Sequence, residues 1–253
     1  MIRIKNKSSI QKMRHAGHQL SDIFETLGAV VKADTSTLEI DQWIEGQLRQ
    51  KQLISKMKGY MGYGHVSCIS VNDEVVHGIP CAGTILQPGD LVKVDVCAAW
   101  HDYCADMARV FFIPPVSAKV KMFADAAYQA LVAGSKYMCE GNRLSDVSAA
   151  IQSVVEKNGY GVVRDFAGHG IGKQMHEDPE ILNYGVPGQG PLLRIGMVFA
   201  IEPMITMGTY NVSIDDDGWT VRTADGQLAA HVEDTIAITQ DGPEVLTRLN
   251  GFI

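Results

Sequence analysis

From Ser8 to about Val31 the apolar residues Ile10, Met13, Leu20, Phe24, Leu27 and Val31 recur at three- and four-residue steps, which places them on one face of a long helix. Ser36-Thr-Leu-Glu39 is a capping-box pattern, and Leu38, Trp43, Ile44 and Leu48 carry it into a second helix. After these two helices the apolar period falls from about 3.6 to 2. Residues 66–71, 91–97 and 103–112 read as strands, with Gln87-Pro-Gly-Asp90 as a turn between the first two.

The same order then repeats. Ser117 opens a helix carrying Val120, Phe123, Ala127, Leu131 and Met138, and Ser145 opens another that stops at Asn158-Gly159. Strands follow near 161–165, 197–207, 219–223 and 229–239, with Asp217-Gly218 and Asp225-Gly226 as turns. With Ser9 and Ser117 taken as first caps, the interval from Ser9 to Asp95 matches that from Ser117 to Glu202 to within one residue. The pattern predicts an α+β chain forming a single domain over 1–253. Its two α-α-β halves, about 8–112 and 117–239, would share one site with no linker between them.

Composition narrows the function classes. The chain is 46% hydrophobic and 20% charged, ordinary for a soluble globular protein. A net charge of -7 argues against a nucleic-acid-binding surface, which needs clustered Lys and Arg. The basic cluster Arg3, Lys5 and Lys7 precedes a polar amphipathic segment, so neither a signal peptide nor a membrane anchor is expected. No run approaches the roughly eighteen apolar residues of a membrane span. The five cysteines, Cys68, Cys81, Cys97, Cys104 and Cys139, include no CxxC pair and suit reduced thiols of a cytoplasmic protein. Cys97 and Cys104 flank an expected hairpin, where they can be metal ligands or, as is commoner, small buried hydrophobes.

Four acids stand where strands disfavour them. In Leu91-Val-Lys-Val-Asp-Val-Cys97 the valines face one way and leave Asp95 on the other. Asp106 lies in Tyr103-Cys-Ala-Asp-Met-Ala-Arg-Val-Phe-Phe112, joined to the first run through Trp100-His-Asp102. Glu202 is enclosed by Met197-Val-Phe-Ala-Ile and Pro-Met-Ile205, and Glu233 precedes Asp-Thr-Ile-Ala-Ile-Thr239. Pairing with Lys93 and Arg109 is the ordinary alternative for any one of them. Four together are unfavourable unless cations neutralise them.

The stretch Phe166-Ala-Gly-His-Gly-Ile-Gly-Lys-Gln-Met-His176 adds two histidines among glycines, which permit positive φ and close approach to an ion or substrate. Four carboxylates and His169 suit two divalent ions of Mn, Fe, Co or Zn. Two such ions with a water between them supply a nucleophile at neutral pH and polarise a carbonyl.

Five motifs together resemble the methionine aminopeptidases of the type I class over nearly the whole chain. They are Ser70-Val-Asn-Asp-Glu-Val-Val-His-Gly-Ile-Pro80, Val94-Asp-Val with Asp106, Gly168-His-Gly-Ile-Gly172 with His176, Ile201-Glu-Pro-Met204, and Glu233-Asp-Thr235. The interval from His176 to Glu202 leaves no room for the helical insertion of the type II class, and no extended segment precedes Ser8. The resemblance implies a pita-bread fold: two pseudo-symmetric α-β halves around a curved central antiparallel sheet that holds a dinuclear metal site.

It further implies Asp95, Asp106, His169, Glu202 and Glu233 as metal ligands, with Asp106 and Glu233 bridging. Glu202 would relay the proton of the attacking water, His77 would contact the scissile amide nitrogen, and His176 would face the developing oxyanion. The substrate's free α-amine would bind near the ion on Asp95. Met57, Tyr60, Tyr63, Cys68, Met175 and Trp219 match the pocket for the methionine side chain. The implied substrates are the N-termini of nascent polypeptides with a small second residue, met at the ribosome by a monomer that contacts neither nucleic acid nor membrane.

Three departures stand out. Met57 replaces a frequent Cys, and Met175 a frequent aromatic residue. In His231-Val-Glu-Asp-Thr235 a Gln is commoner first, and Glu-His-Thr commoner last. The Glu-Asp-Thr form is similar to the Xaa-Pro aminopeptidases and dipeptidases of the same fold, which usually bring a large extra N-terminal domain. A non-catalytic pita-bread binding module is the third possibility. Such modules are expected to lose ligands and gain basic extensions, whereas all five ligands are present here and the net charge is negative.

Overall fold

The computed structural model describes residues 1–248. Two helices come first, α1 (Lys7–Leu27) and α2 (Thr37–Gln50), followed by five strands: β1 (Ile54–Ser55), β2 (Cys68–Val71), β3 (Glu74–Val76), β4 (Leu91–Trp100) and β5 (Tyr103–Phe112). Two further helices are α3 (Ala118–Ser135) and α4 (Leu144–Lys157). The remaining strands are β6 (Gly161–Val162), β7 (Ala167–Gly170), β8 (Glu177–Leu182), β9 (Val198–Ile201), β10 (Met204–Thr206), β11 (Val212–Ile214), β12 (Val221–Thr223), β13 (Ala229–His231), β14 (Glu233–Thr239) and β15 (Gly242–Val245).

Nine strands form the central sheet in the order β1-β4-β5-β14-β9-β7-β8, with β2 beside β4 and β15 beside β14, and every pair is antiparallel. Two smaller three-stranded sheets, β13-β10-β6 and β11-β12-β3, adjoin it. The β4–β5 hairpin turns at His101 and Asp102, both at positive φ, the geometry whose twist matches its strands.

Strand parity decides which face is which. Val92, Val94 and Val96 of β4 pack with Leu20, Ile23 and Ile44 of α1 and α2 in one core. Phe199 and Ile201 of β9 and Ile236 and Ile238 of β14 pack with Phe123, Leu131 and Ile151 of α3 and α4 in another. Each such side chain, fully buried, contributes roughly 1.5–3 kcal/mol. Alternation then sends Asp95, Asp106, Ala200 and Glu233 to the opposite face. The two helix pairs therefore cover one side of the sheet and leave the acids on the other.

Several boundaries differ from the expected ones for local reasons. Helix α1 is capped by Asn6, whose Oδ1 accepts the Ser9 backbone N–H, so Ser9 lies inside the helix and is not its cap. At α4 the cap position is Arg143, and Asp146 accepts its backbone N–H, which places Ser145 within the first turn. The expected strand at 197–207 breaks at Pro203, which has no N–H to donate, and the one at 229–239 breaks at Val232. Within the glycine-rich His169 segment, Ala167–Gly170 forms strand β7.

Candidate metal centre

Register lines the site residues up in two rows. Glu233 pairs with Ala108, which pairs on its other side with Asp95. One step along, Cys97 pairs with Asp106, Thr235 exchanges hydrogen bonds with the Asp106 backbone through Oγ1, and Thr235 pairs with Ala200, which pairs with His169. Glu202 follows Ile201, the partner of Asp234, so it falls beside Glu233. Ala108 and Ala200 keep the middle of each row low, and the acids and the imidazole rise around a small hollow.

Ligand atoms of Asp106, His169 and Glu233 all lie within 4.8 Å of one another, and those of Glu202, His231 and Glu233 do too. His169 Nε2 is 3.5 Å from Glu202 Oε1 and 3.9 Å from Asp106 Oδ2. Its Nδ1 is 3.0 Å from the Gly170 carbonyl oxygen and donates to it, which leaves the Nε2 lone pair available to a cation among the acids. Burial first, then His176, lowers the His169 pKa to about 3, so the ring is neutral and able to coordinate.

Burial also raises Asp95, Asp106, Glu202 and Glu233, and neighbouring carboxylates push Asp95 and Glu233 further up. The nearby basic side chains do not offset this. Arg109 is committed to Asp234 and to the Glu233 carbonyl, and the buried Lys93 donates to the Asn72 carbonyl at 2.8 Å. Asp95 Oδ1, Asp106 Oδ1 and Glu233 Oε1 are buried without hydrogen-bond partners. Divalent cations fit this set, because oxygen donors with one neutral imidazole suit borderline transition ions and the cations neutralise the clustered charge. Cys97 and Cys104 are free, buried thiols outside both ligand groups.

The glycines act otherwise than the sequence suggested. Gly168 and Gly170 do not have positive φ. A Cβ on Gly170 would overlap the Asp178 carbonyl oxygen, and one on Gly168 would come 2.5 Å from the Ala200 carbonyl oxygen. They let neighbouring strand backbones lie close, which brings His169 into register with Ala200.

The hollow continues into a cavity of about 270 Å³ lined by Met57, Tyr60, Tyr63, Cys68, His77, Met175, His176 and Trp219, together with the acids and the imidazole assigned as ligands. All the residues anticipated for pocket and catalysis thus meet in one place. Met61 also lines it and went unnoticed, because nothing in Tyr60-Met-Gly62 marks a turn with Met61 at φ 47. Met57 also braces the sheet, since its Sδ accepts the Cys97 N–H at 3.3 Å.

His77 has φ 60, a left-handed conformation tolerated in few non-glycine residues and found at functional sites. Its ring meets Phe166 edge-on at 5.6 Å, and burial, then His231 and His176, lowers its pKa to about 4. His176 Nδ1 is 2.9 Å from the Tyr60 hydroxyl, and its ring stands 4.4 Å from that of His169 at 87°.

An acid-rich metal centre on an antiparallel sheet, opening on a side-chain-sized cavity, defines a metallohydrolase, and the chain belongs to metallopeptidase family M24, whose family model matches residues 11–240. It is 45% identical over 247 residues to the methionine aminopeptidase of Clostridium acetobutylicum, covering 98% of this chain and 99% of that protein. The methionine aminopeptidase 1 of Mycobacterium tuberculosis is 40% identical, with 96% and 94% covered. A crystal structure of methionine aminopeptidase from Thermotoga maritima superposes with a TM-score of 0.96 at 39% identity, covering 98% of this chain and all of that one. Prolidase from Pyrococcus furiosus shares the fold alone, with a TM-score of 0.77 at 20% identity over 97% of this chain and 65% of that one. The curled antiparallel sheet with its helices is the pita-bread fold, and the chain is a metal-dependent aminopeptidase.

Proposed function

We propose that the enzyme removes the N-terminal methionine from nascent proteins and peptides whose second residue is small. The observation that carries this reading is the position of the cavity: the acid cluster opens directly onto a space walled by Met57, Tyr63, Cys68, Met175 and Trp219. Sulfur and aromatic walls suit an unbranched thioether.

Asp95, Asp106, His169, Glu202 and Glu233 would hold two divalent ions, which would supply Lewis acidity to the scissile carbonyl and lower the pKa of a water. Glu202 takes that water's proton on its carboxylate and passes it to the leaving amine. His176, held through Nδ1 by Tyr60, presents its other nitrogen to the carbonyl oxygen as negative charge develops there. His77, neutral at pH 7 and fixed between Phe166 and Trp219, hydrogen-bonds the scissile amide nitrogen. The substrate's free α-amine would bind near the ion that Asp95 helps to hold, so the free N-terminus sets which bond is cut.

The same reading places the enzyme in the cytoplasm as a monomer acting on chains leaving the ribosome. Five free thiols support a reducing compartment, and among the described residues no helix is long and apolar enough to cross a membrane. The test is a peptide panel varying the first two residues, run with Mn, Fe, Co and Zn in turn. Cleavage of Met-Ala-Ser well above Gly-Pro-Leu is expected, and preferential cleavage of the Xaa-Pro bond would overturn the assignment.

A further inference from the structure

His231 ends β13, pairs with Met204, and stands two residues before Glu233. It is 2% exposed, and its Nε2 is buried without a hydrogen-bond partner. The other orphaned buried side-chain atoms among the described residues are the carboxylate oxygens of Asp95, Asp106 and Glu233, so this nitrogen belongs to the same centre. The acid atom facing it is Glu202 Oε2, at 3.4 Å. The other oxygen, Oε1, is 3.5 Å from His169 Nε2. Glu202 therefore lies between two imidazoles, one for each oxygen.

The two rings cannot be doing the same thing. His169 lines the cavity, and because its Nδ1 is spent on Gly170 its Nε2 lone pair is available to an ion among the acids. His231 does not line the cavity; its Nε2 lies 3.4 Å from Glu202 Oε2, and its ligand atom lies within 4.8 Å of those of Glu202 and Glu233. A lone pair on Nε2 aimed at a carboxylate oxygen would be repelled, whereas an N–H there is attracted, and a small approach of Oε2 from its 3.4 Å would give the nitrogen the partner it lacks. We propose that His231 is a positioning residue for Glu202: its Nε2–H holds Oε2 and so commits Oε1 to the His169 side. The ring works through Glu202 and touches neither substrate nor ion. Its effect is to fix the plane of a carboxylate that must both hold an ion and receive a proton.

The first test needs no activity. In the ion-free protein labelled with 15N-histidine, NMR is expected to show His231 protonated at Nε2, with a slowly exchanging proton whose shift moves in Glu202→Gln. The second compares His231→Leu with His231→Gln, whose amide keeps an N–H donor. Calorimetric titration of Mn into each ion-free variant, together with a Met-Ala-Ser assay, should show Leu weakening ion affinity and kcat by about 10–100-fold, with Gln recovering most of both. KM should stay within about twofold in either variant, because the substrate contacts are intact.

A bare Nε2, a Gln variant as impaired as the Leu variant, or two imidazole couplings in pulsed EPR of the Mn-loaded wild type would each overturn the proposal. The last result would make His231 a ligand. If the Leu variant does not fold, the NMR result and the Gln variant decide. The activity arm alone rests on the proposed peptidase function. A wild-type enzyme that cleaved no methionyl peptide would sink that function without touching the NMR result.

Discussion

Tyr60 and His176, 116 residues apart in sequence, are joined by a hydrogen bond of 2.9 Å between the tyrosine hydroxyl and Nδ1, with their rings edge to face at 5.2 Å. The contact fixes the imidazole's orientation from outside the ligand cluster. Tyr60→Phe should lower kcat for Met-Ala-Ser by several-fold, while His176→Ala should lower it by about 10²–10³. Ion affinity measured by calorimetry should be unchanged in both. Equal losses in the two variants would show that Tyr60 does more than orient the ring.

His77 is among the non-glycine residues at positive φ, and its ring is held by aromatic neighbours without a polar anchor. His77→Ala is expected to cut kcat by about 10²–10⁴ while both ions stay bound. Near-wild-type turnover at full metal content would remove it from the catalytic set.

The orphaned oxygens of Asp95, Asp106 and Glu233 predict a stability dependent on ions. At an ion concentration about 100 times the dissociation constant, binding should add about 2.7 kcal/mol to the folded state, visible as a rise in Tm that a chelator reverses. Glu233→Ala should abolish activity and most of that rise. A chelator that leaves Tm unchanged would count against ions in the buried cluster.

The pH dependence of the fold can be followed at the α2 cap. The Ser36 backbone N–H and then its hydroxyl hold the Glu39 carboxylate below its ordinary pKa of 4.5. A lowered folded-state pKa contributes stability that is fully present above 4.5 and is lost as pH falls through the lower folded-state value. The difference in unfolding free energy between wild type and Glu39→Ala should therefore shrink as pH drops below 4.5. Ser36→Ala at neutral pH should cost about 1 kcal/mol in denaturant titration.

Much of the centre was legible because its residues break the patterns around them. Asp95, Asp106, Glu202 and Glu233 each interrupt an apolar run, and in β4 and β14 the parity of that run already separates the acid face from the helix-covered face. Strands β7 and β8 were not legible. Glycines and charged residues carry no β signal, and what makes Gly168 and Gly170 strand residues is the nearness of the Ala200 and Asp178 carbonyls, which only the assembled sheet reveals. His231 was visible as an unusual residue, but a role for it depends on Glu202 Oε2 at 3.4 Å, a relation between separate strands. The caps at Asn6 and Arg143 were displaced by a few residues because competing Ser residues stood close by.

The two rows of paired residues carry a further consequence. Next to Glu233 stands Asp234, which faces the other way and is held by Arg109, Arg248 and Thr247. Sliding β14 by one residue would turn Asp234 into the hollow and send Glu233 toward Arg109, exchanging the two acids for each other. The ladder thus acts as a ruler for the chemistry, and the guanidinium pair behind the sheet holds Asp234 on its own face. Turnover in this enzyme is therefore also a report of correct strand alignment, sensitive to errors of a single residue that leave helices and cores in place.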